Sequence, residues 1–542
     1  MSGRSFFRLG RVSRTMSDDE PAYAAGFRTQ DSEVREVALD VEGDLPDWLS
    51  GTLVRNGPAR FEAGDRRLNH WFDGYAMLHA FAIDGASDTV TYANRSLDSA
   101  AHRHVEEEDE LGYAEFATDP CRDLFERFFA IFDPDVTDNA NVNVTRLADR
   151  YVAMTETPMP IEFDPETLET VGVREETVPD GHVTTAHPHY DPERGAAINY
   201  VTRLRPFGHR YRVYALPEGA DGGEGAEAMR AGTGAEAKTD GGAARAAESP
   251  AAGSAMEATT AASGPEPEVL AEVPVDKPRY MHSFGMTERY VVLAEFPLTV
   301  SLWNLALSGG GPFIEAYDWE PERGTRFTVI DKDTGDVVAR PTGEPFFAFH
   351  HVNAFERDRP DGGREVVVDV CAYDDAGIVD ALYLDELLSP EGHVPGSELR
   401  RYRVPLDDEG AVASEVLYPG TVELPRINYP RCNAGDYRYV YGGGSRTEPP
   451  EDFIDRLVKV DVETGEAAVW EEDGAYPGEP VFVASPDADH DDEDAGVVLS
   501  VVLDADTETS FLLCLDAGSF EERARAAVPQ AVPFGFHGQF WR

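Results

Sequence analysis

Short apolar runs of strand length alternate with turn-rich breaks along almost the whole chain, which predicts an all-β protein. A loose recurrence runs through this pattern. The segments DRYVAMTE (149–156), ERYVVLAE (288–295) and YRYVYGGG (437–444) each read as a strand. DPETLETV (164–171), DKDTGDVV (331–338) and DVETGEAAVW (461–470) each read as a hairpin with turn residues at its tip. Recurring strand and hairpin units suggest propeller blades, and their irregular period gives no blade number.

Two stretches depart from the pattern. Residues 217–267 are almost wholly Ala, Gly, Glu, Thr, Ser and Pro, cannot bury a core, and are expected to form a disordered surface insertion in a hairpin loop. Further upstream, Asp119-Pro120 makes a helix start and Asp133-Pro134 a stop. Between them Leu124, Phe125, Phe128, Phe129 and Phe132 share one helical face, suited either to docking in the core or to lying in a membrane interface. No apolar run reaches the roughly 18 residues needed to cross a membrane.

Charge narrows the class of partner. The 102 acidic residues against 47 basic ones give a formal charge of −55, and the only lysines are Lys238, Lys277, Lys332 and Lys459. Such a chain repels nucleic acid and anionic lipid at low salt, and its self-repulsion favours a salt-rich cytoplasm. Cys121, Cys371, Cys432 and Cys514 are scattered without paired spacing and read as free thiols. Residues 1–16 carry Arg4, Arg8, Arg11 and Arg14 without an apolar signal-peptide core, so they are expected to be a disordered basic tail, with Met16 as an alternative start. Residues 17–542 then form a single domain.

Four segments place histidine against an apolar, aromatic or glycine-rich background: TTAHPHYD with His187, RYMHSFGM with His282, FFAFHHVNAFE with His350, and VPFGFHGQFWR with His537. A single such histidine is more often a hydrogen-bonded core residue. Four of them, far apart in sequence, point to one buried metal centre, because burial favours the neutral imidazole that ligates. An all-nitrogen site suits Fe, Zn, Cu or Ni. His189 shares a strand face with His187, so periodicity cannot choose between them; His350 and His351 face opposite ways, so only one of that pair can reach the metal.

These segments, with LVRNGPARFE (53–62), NHWFDGYAMLHAF (69–81), AMTET (153–157), TVELPRINY (421–429) and YPGEPVFVASP (476–486), resemble the carotenoid cleavage oxygenases in family order. The resemblance implies a seven-bladed β-propeller with a helical and loop cap over an axial metal. It implies one Fe(II) per chain on His187, His282, His350 and His537, with Glu156, Glu423 and Glu479 behind the imidazoles. It marks Phe61 and Thr155 as near the substrate path. TAHPHYD, DPCRDLFERFF and the ending GVVLSVVLD…VPFGFHG look most like the animal-type branch, which tips the 119–134 segment towards peripheral membrane contact and places Cys121 where some relatives are lipidated. The activity implied is dioxygen-dependent cleavage of a polyene C=C bond, with central cleavage of β-carotene to retinal favoured. Eccentric cleavage, apocarotenoid or stilbene cleavage, retinyl-ester isomerohydrolysis and a non-catalytic metal-stabilised propeller are the alternatives.

Overall fold

Each recurrent hairpin turns on one aspartate. The Oδ1 atoms of Asp164, Asp331 and Asp461 each accept the backbone N–H groups two and three residues ahead, at 2.8–3.3 Å. Asp191 and Asp504 do the same. The fifth residue of every one of these turns has positive φ: Gly335, Gly465 and Gly195, but also Leu168 and Glu508. Aspartate supplies the acceptor and glycine the left-handed backbone, which is why the turns are legible from composition.

The computed structural model describes residues 20–119, 137–205, 208–219, 265–300, 312–360, 362–407, 411–489 and 492–542. Within them the hairpins assemble into seven antiparallel sheets of four to six strands, the blades of a propeller. Adjacent blades meet through apolar faces. Val54 and Leu78 of the first blade pack with Val144, Ala153 and Ile161 of the second, and Val367 and Leu399 of the fifth with Val440 and Val458 of the sixth. Burial of β-branched residues on pleated faces supplies the main stabilisation, at roughly 25 cal/mol per Å² of apolar surface.

The ring closes by exchange of the chain ends. The N-terminal strand Asp40–Gly43 pairs with Glu522–Val528 of the last blade, and the C-terminal strand Gly538–Trp541 pairs with Ser50–Arg60 of the first. In each blade the strand at one edge of the sheet lies against the axis. The axial strands His189–Asp191, Gly285–Met286, His351–Asp358 and Gly538–Trp541 come one to three residues after His187, His282, His350 and His537. All four imidazoles are therefore delivered to one place, where their ligand atoms converge.

Strands His209–Pro217 and Glu268–Val275 pair antiparallel on either side of the Ala/Gly/Glu-rich insertion, of which residues 220–264 lie outside the described residues. The basic tail, Cys121 and the stripe from Leu124 to Phe132 lie outside them too. Cys371, Cys432 and Cys514 are buried free thiols. Among the described residues no helix is long and apolar enough to cross a membrane.

Candidate metal centre

One potential ligand nitrogen from each of His187, His282, His350 and His537 lies within 4.8 Å of those of the other three. The Nε2 atoms of His187 and His282 are 2.9 Å apart, and those of His350 and His537 are 3.1 Å apart. His282, His350 and His537 are buried and His187 half-buried. Two ligands about 2.1 Å from one metal stand about 3.0 Å apart at a right angle and about 3.4 Å apart in a tetrahedron. Both close pairs stand nearer the right-angle spacing than the tetrahedral one.

Three imidazoles are held from behind by carboxylates. His282 Nδ1 lies 2.7 Å from Glu156 Oε1, His350 Nδ1 2.6 Å from Glu423 Oε2, and His537 Nδ1 2.7 Å from Glu479 Oε1. A carboxylate there fixes the proton on Nδ1 and turns the Nε2 lone pair to the centre. Burial holds His282 below the ordinary imidazole range and His187 well below it, and it pulls His537 down to about 3 despite Glu479. Neutral imidazoles with convergent lone pairs are the form a metal requires. Among the described residues no carboxylate pairs with His187; its backbone N–H instead donates to Thr185 Oγ1 at 3.1 Å, while the Thr185 hydroxyl donates to the His282 carbonyl.

The structure separates the ambiguous pairs. His189 is engaged by the Tyr429 hydroxyl at 3.1 Å and the Phe284 carbonyl at 2.9 Å, and His351 Nδ1 by the Ser283 hydroxyl at 2.8 Å. Neither joins the cluster.

Sequence reasoning missed the residues that hold the carboxylates. Glu479 is fully buried between Arg55 and Arg426: Arg55 Nη1 pairs with Oε2, Arg426 Nε donates to Oε1 at 2.8 Å, and the Gly538 N–H donates to Oε2 at 2.9 Å. Burial alone would raise its pKa, yet Arg426, His537 and Arg55 hold it far below the usual carboxylate range. Arg55 also donates to the Phe536 carbonyl at 3.1 Å and Arg426 to the Gly538 carbonyl, so the two guanidinium groups grip the chain on both sides of His537. The Tyr280 hydroxyl donates to Glu156 at 2.8 Å, and the Leu424 N–H to Glu423 at 2.9 Å. Leu424 pays for that contact with a positive φ of 52° beside a break in strand register. The signal was a cation inside the apolar run LVRNGP and another in LPRINY.

A family profile described as retinal pigment epithelial membrane protein matches residues 27–542. The carotenoid-cleaving dioxygenase, mitochondrial, of Macaca fascicularis is 36% identical over 96% of this chain and 94% of its own. The beta,beta-carotene 15,15'-dioxygenase of Rattus norvegicus is 33% identical over 95% and 90%.

The chain belongs to the carotenoid cleavage oxygenase family.

It is an oxygenase, and its propeller is the one that family shares. A variant of Synechocystis apocarotenoid oxygenase superposes with a TM-score of 0.75 at 22% identity, covering 96% of this chain and 98% of that one, as does a cobalt-substituted form of the same protein. In this oxygenase the four histidines form a group able to hold a metal ion. His282, His350 and His537 open onto a cavity whose wall is mostly apolar and includes Trp71, Phe72, Phe349, Tyr373 and Phe536. Phe61 is fully buried in the aromatic core, Thr155 is half-buried directly before Glu156, and neither lines this cavity.

Proposed function

We propose that the centre holds Fe(II) on His187, His282, His350 and His537, oriented by Glu156, Glu423 and Glu479, and that the enzyme cleaves a carotenoid with dioxygen. The observation that carries this reading is the convergence of imidazole nitrogens on the wall of an apolar cavity. Bound there, ferrous iron supplies a redox-active ion with positions open to dioxygen. The protein's own residues do the rest. Trp71, Phe72, Phe349 and Phe536 exclude water and line a channel for an extended polyene beside the histidines. One C=C bond and the O=O bond break, two C=O bonds form, and both oxygen atoms enter the products. No side chain needs to act as acid, base or nucleophile. A structural zinc site is disfavoured because it would be closed and tetrahedral.

The substrate favoured is β-carotene, cut centrally to retinal, as named for one group of relatives. Relatives at 36% identity carry the broader name carotenoid-cleaving dioxygenase, which specifies no bond, and eccentric cleavage is the second reading. The test is chromatography of products from the iron-loaded protein and β-carotene, with and without dioxygen. Retinal alone, formed only with dioxygen, supports central cleavage; two unequal apocarotenals indicate the eccentric position. Turnover of retinyl ester without dioxygen would overturn the oxygenase chemistry proposed here.

A further inference from the structure

The loop between strands Tyr439–Gly444 and Arg456–Asp461 contributes Ser445, Asp452, Phe453 and Ile454 to the cavity wall. A line of rings joins this loop to the metal centre. Phe536, beside His537, contacts Trp71 at 4.5 Å between centroids, and Trp71 contacts Phe453 at 5.6 Å. Asp452 directly precedes Phe453 and is thus two ring contacts removed from Phe536 along the cavity wall.

Two carboxylate residues line that wall: Glu423, which is engaged by His350, and Asp452. Asp452 Oδ1 accepts the Phe453 N–H and Oδ2 the Tyr476 hydroxyl, each at 2.9 Å. Among the described residues no Arg or Lys forms an ion pair with it. An ionised carboxylate has about four acceptor sites, so two bonds leave it able to accept another. Ser445, from the same loop, lines the same cavity.

We infer that Asp452 accepts a hydrogen bond from a hydroxyl on the terminal ring of the bound carotenoid, making it a specificity-determining residue for ring-hydroxylated substrates. The inference rests on the reading of this cavity as the polyene site, and within that reading it ranks a ring-hydroxylated carotenoid above unsubstituted β-carotene. A bond to an ionised acceptor is among the stronger ones, and a bare hydrocarbon ring leaves the carboxylate facing apolar carbon. A ring ketone, which can only accept, is rejected for the same reason.

The test is equilibrium binding of β-carotene and of its dihydroxylated counterpart zeaxanthin to the full chain in concentrated KCl, read by quenching of tryptophan fluorescence, since Trp71 lies in the wall. Wild type should bind the diol about tenfold more tightly than the hydrocarbon. In Asp452→Leu that ratio should fall to about one, whereas Tyr476→Phe, which leaves the carboxylate in place, should keep it. A ratio of one in wild type, or the same ratio in wild type and Asp452→Leu, overturns the inference. Cleavage of both carotenoids is measured in parallel. Discrimination without cleavage would sink the proposed reaction and uphold the role of Asp452; cleavage without discrimination would do the reverse.

Discussion

The three carboxylates behind the histidines have different surroundings, and their substitutions should separate accordingly. Glu156→Gln keeps the shape beside His282 and removes the charge, so metal affinity should fall about 10–100-fold with little change in stability, measured by metal titration and thermal unfolding. Glu479→Gln should do both kinds of damage, because it leaves Arg55 and Arg426 without their anion in a buried setting, at a cost of about 3 kcal/mol. His70 gives a pH test away from the metal. Burial pulls its pKa from 6.5 to about 3, against the opposing bond to the Val379 carbonyl. Its contribution is complete above pH 6.5 and is lost as pH falls toward 3, because the unfolded chain takes up the proton first. The stability difference between wild type and His70→Gln, from urea unfolding, should be flat above 6.5 and shrink below it. At this scale the histidines were legible because their apolar contexts are unusual, yet only the family pattern separated His187 from His189. Arg55 and Arg426 were not legible, since nothing local announces that a cation in an apolar strand meets a carboxylate far away in the chain.

Hairpins are the element the sequence displays best. In the DVETG turn Asp461 bonds two backbone N–H groups and Gly465 carries φ of 73°. Asp461→Ala and Gly465→Ala should each cost about 1 kcal/mol in chemical unfolding. The blade count was not legible from period because the connections between hairpins differ in length, and because one blade takes its axial strand, Gly538–Trp541, from the far end of the chain. The aromatic stripe from Leu124 to Phe132 lies outside the described residues, and the choice between core and membrane falls to experiment. Phe128→Ser with Phe129→Ser should weaken liposome association at high salt, measured by co-sedimentation; unchanged association would favour the core.

For the whole molecule, the formal charge of −55 makes the response to salt a test of its self-repulsion. Screening shortens the Debye length from about 10 Å at 0.1 M salt to about 3 Å at 1 M, so the thermal midpoint should rise steadily with KCl over that range. A midpoint indifferent to salt would indicate that the surviving ion pairs already balance the repulsion. The propeller brings histidines from four distant segments together and opens three of them onto an apolar cavity, and that arrangement is what the proposed chemistry needs. The most direct measurement is cleavage of β-carotene by the iron-loaded protein under isotopically labelled dioxygen, with mass spectrometry of the products after a short reaction. The account predicts one labelled oxygen in each carbonyl product. Label in only one product, in neither, or cleavage that proceeds without dioxygen would contradict it.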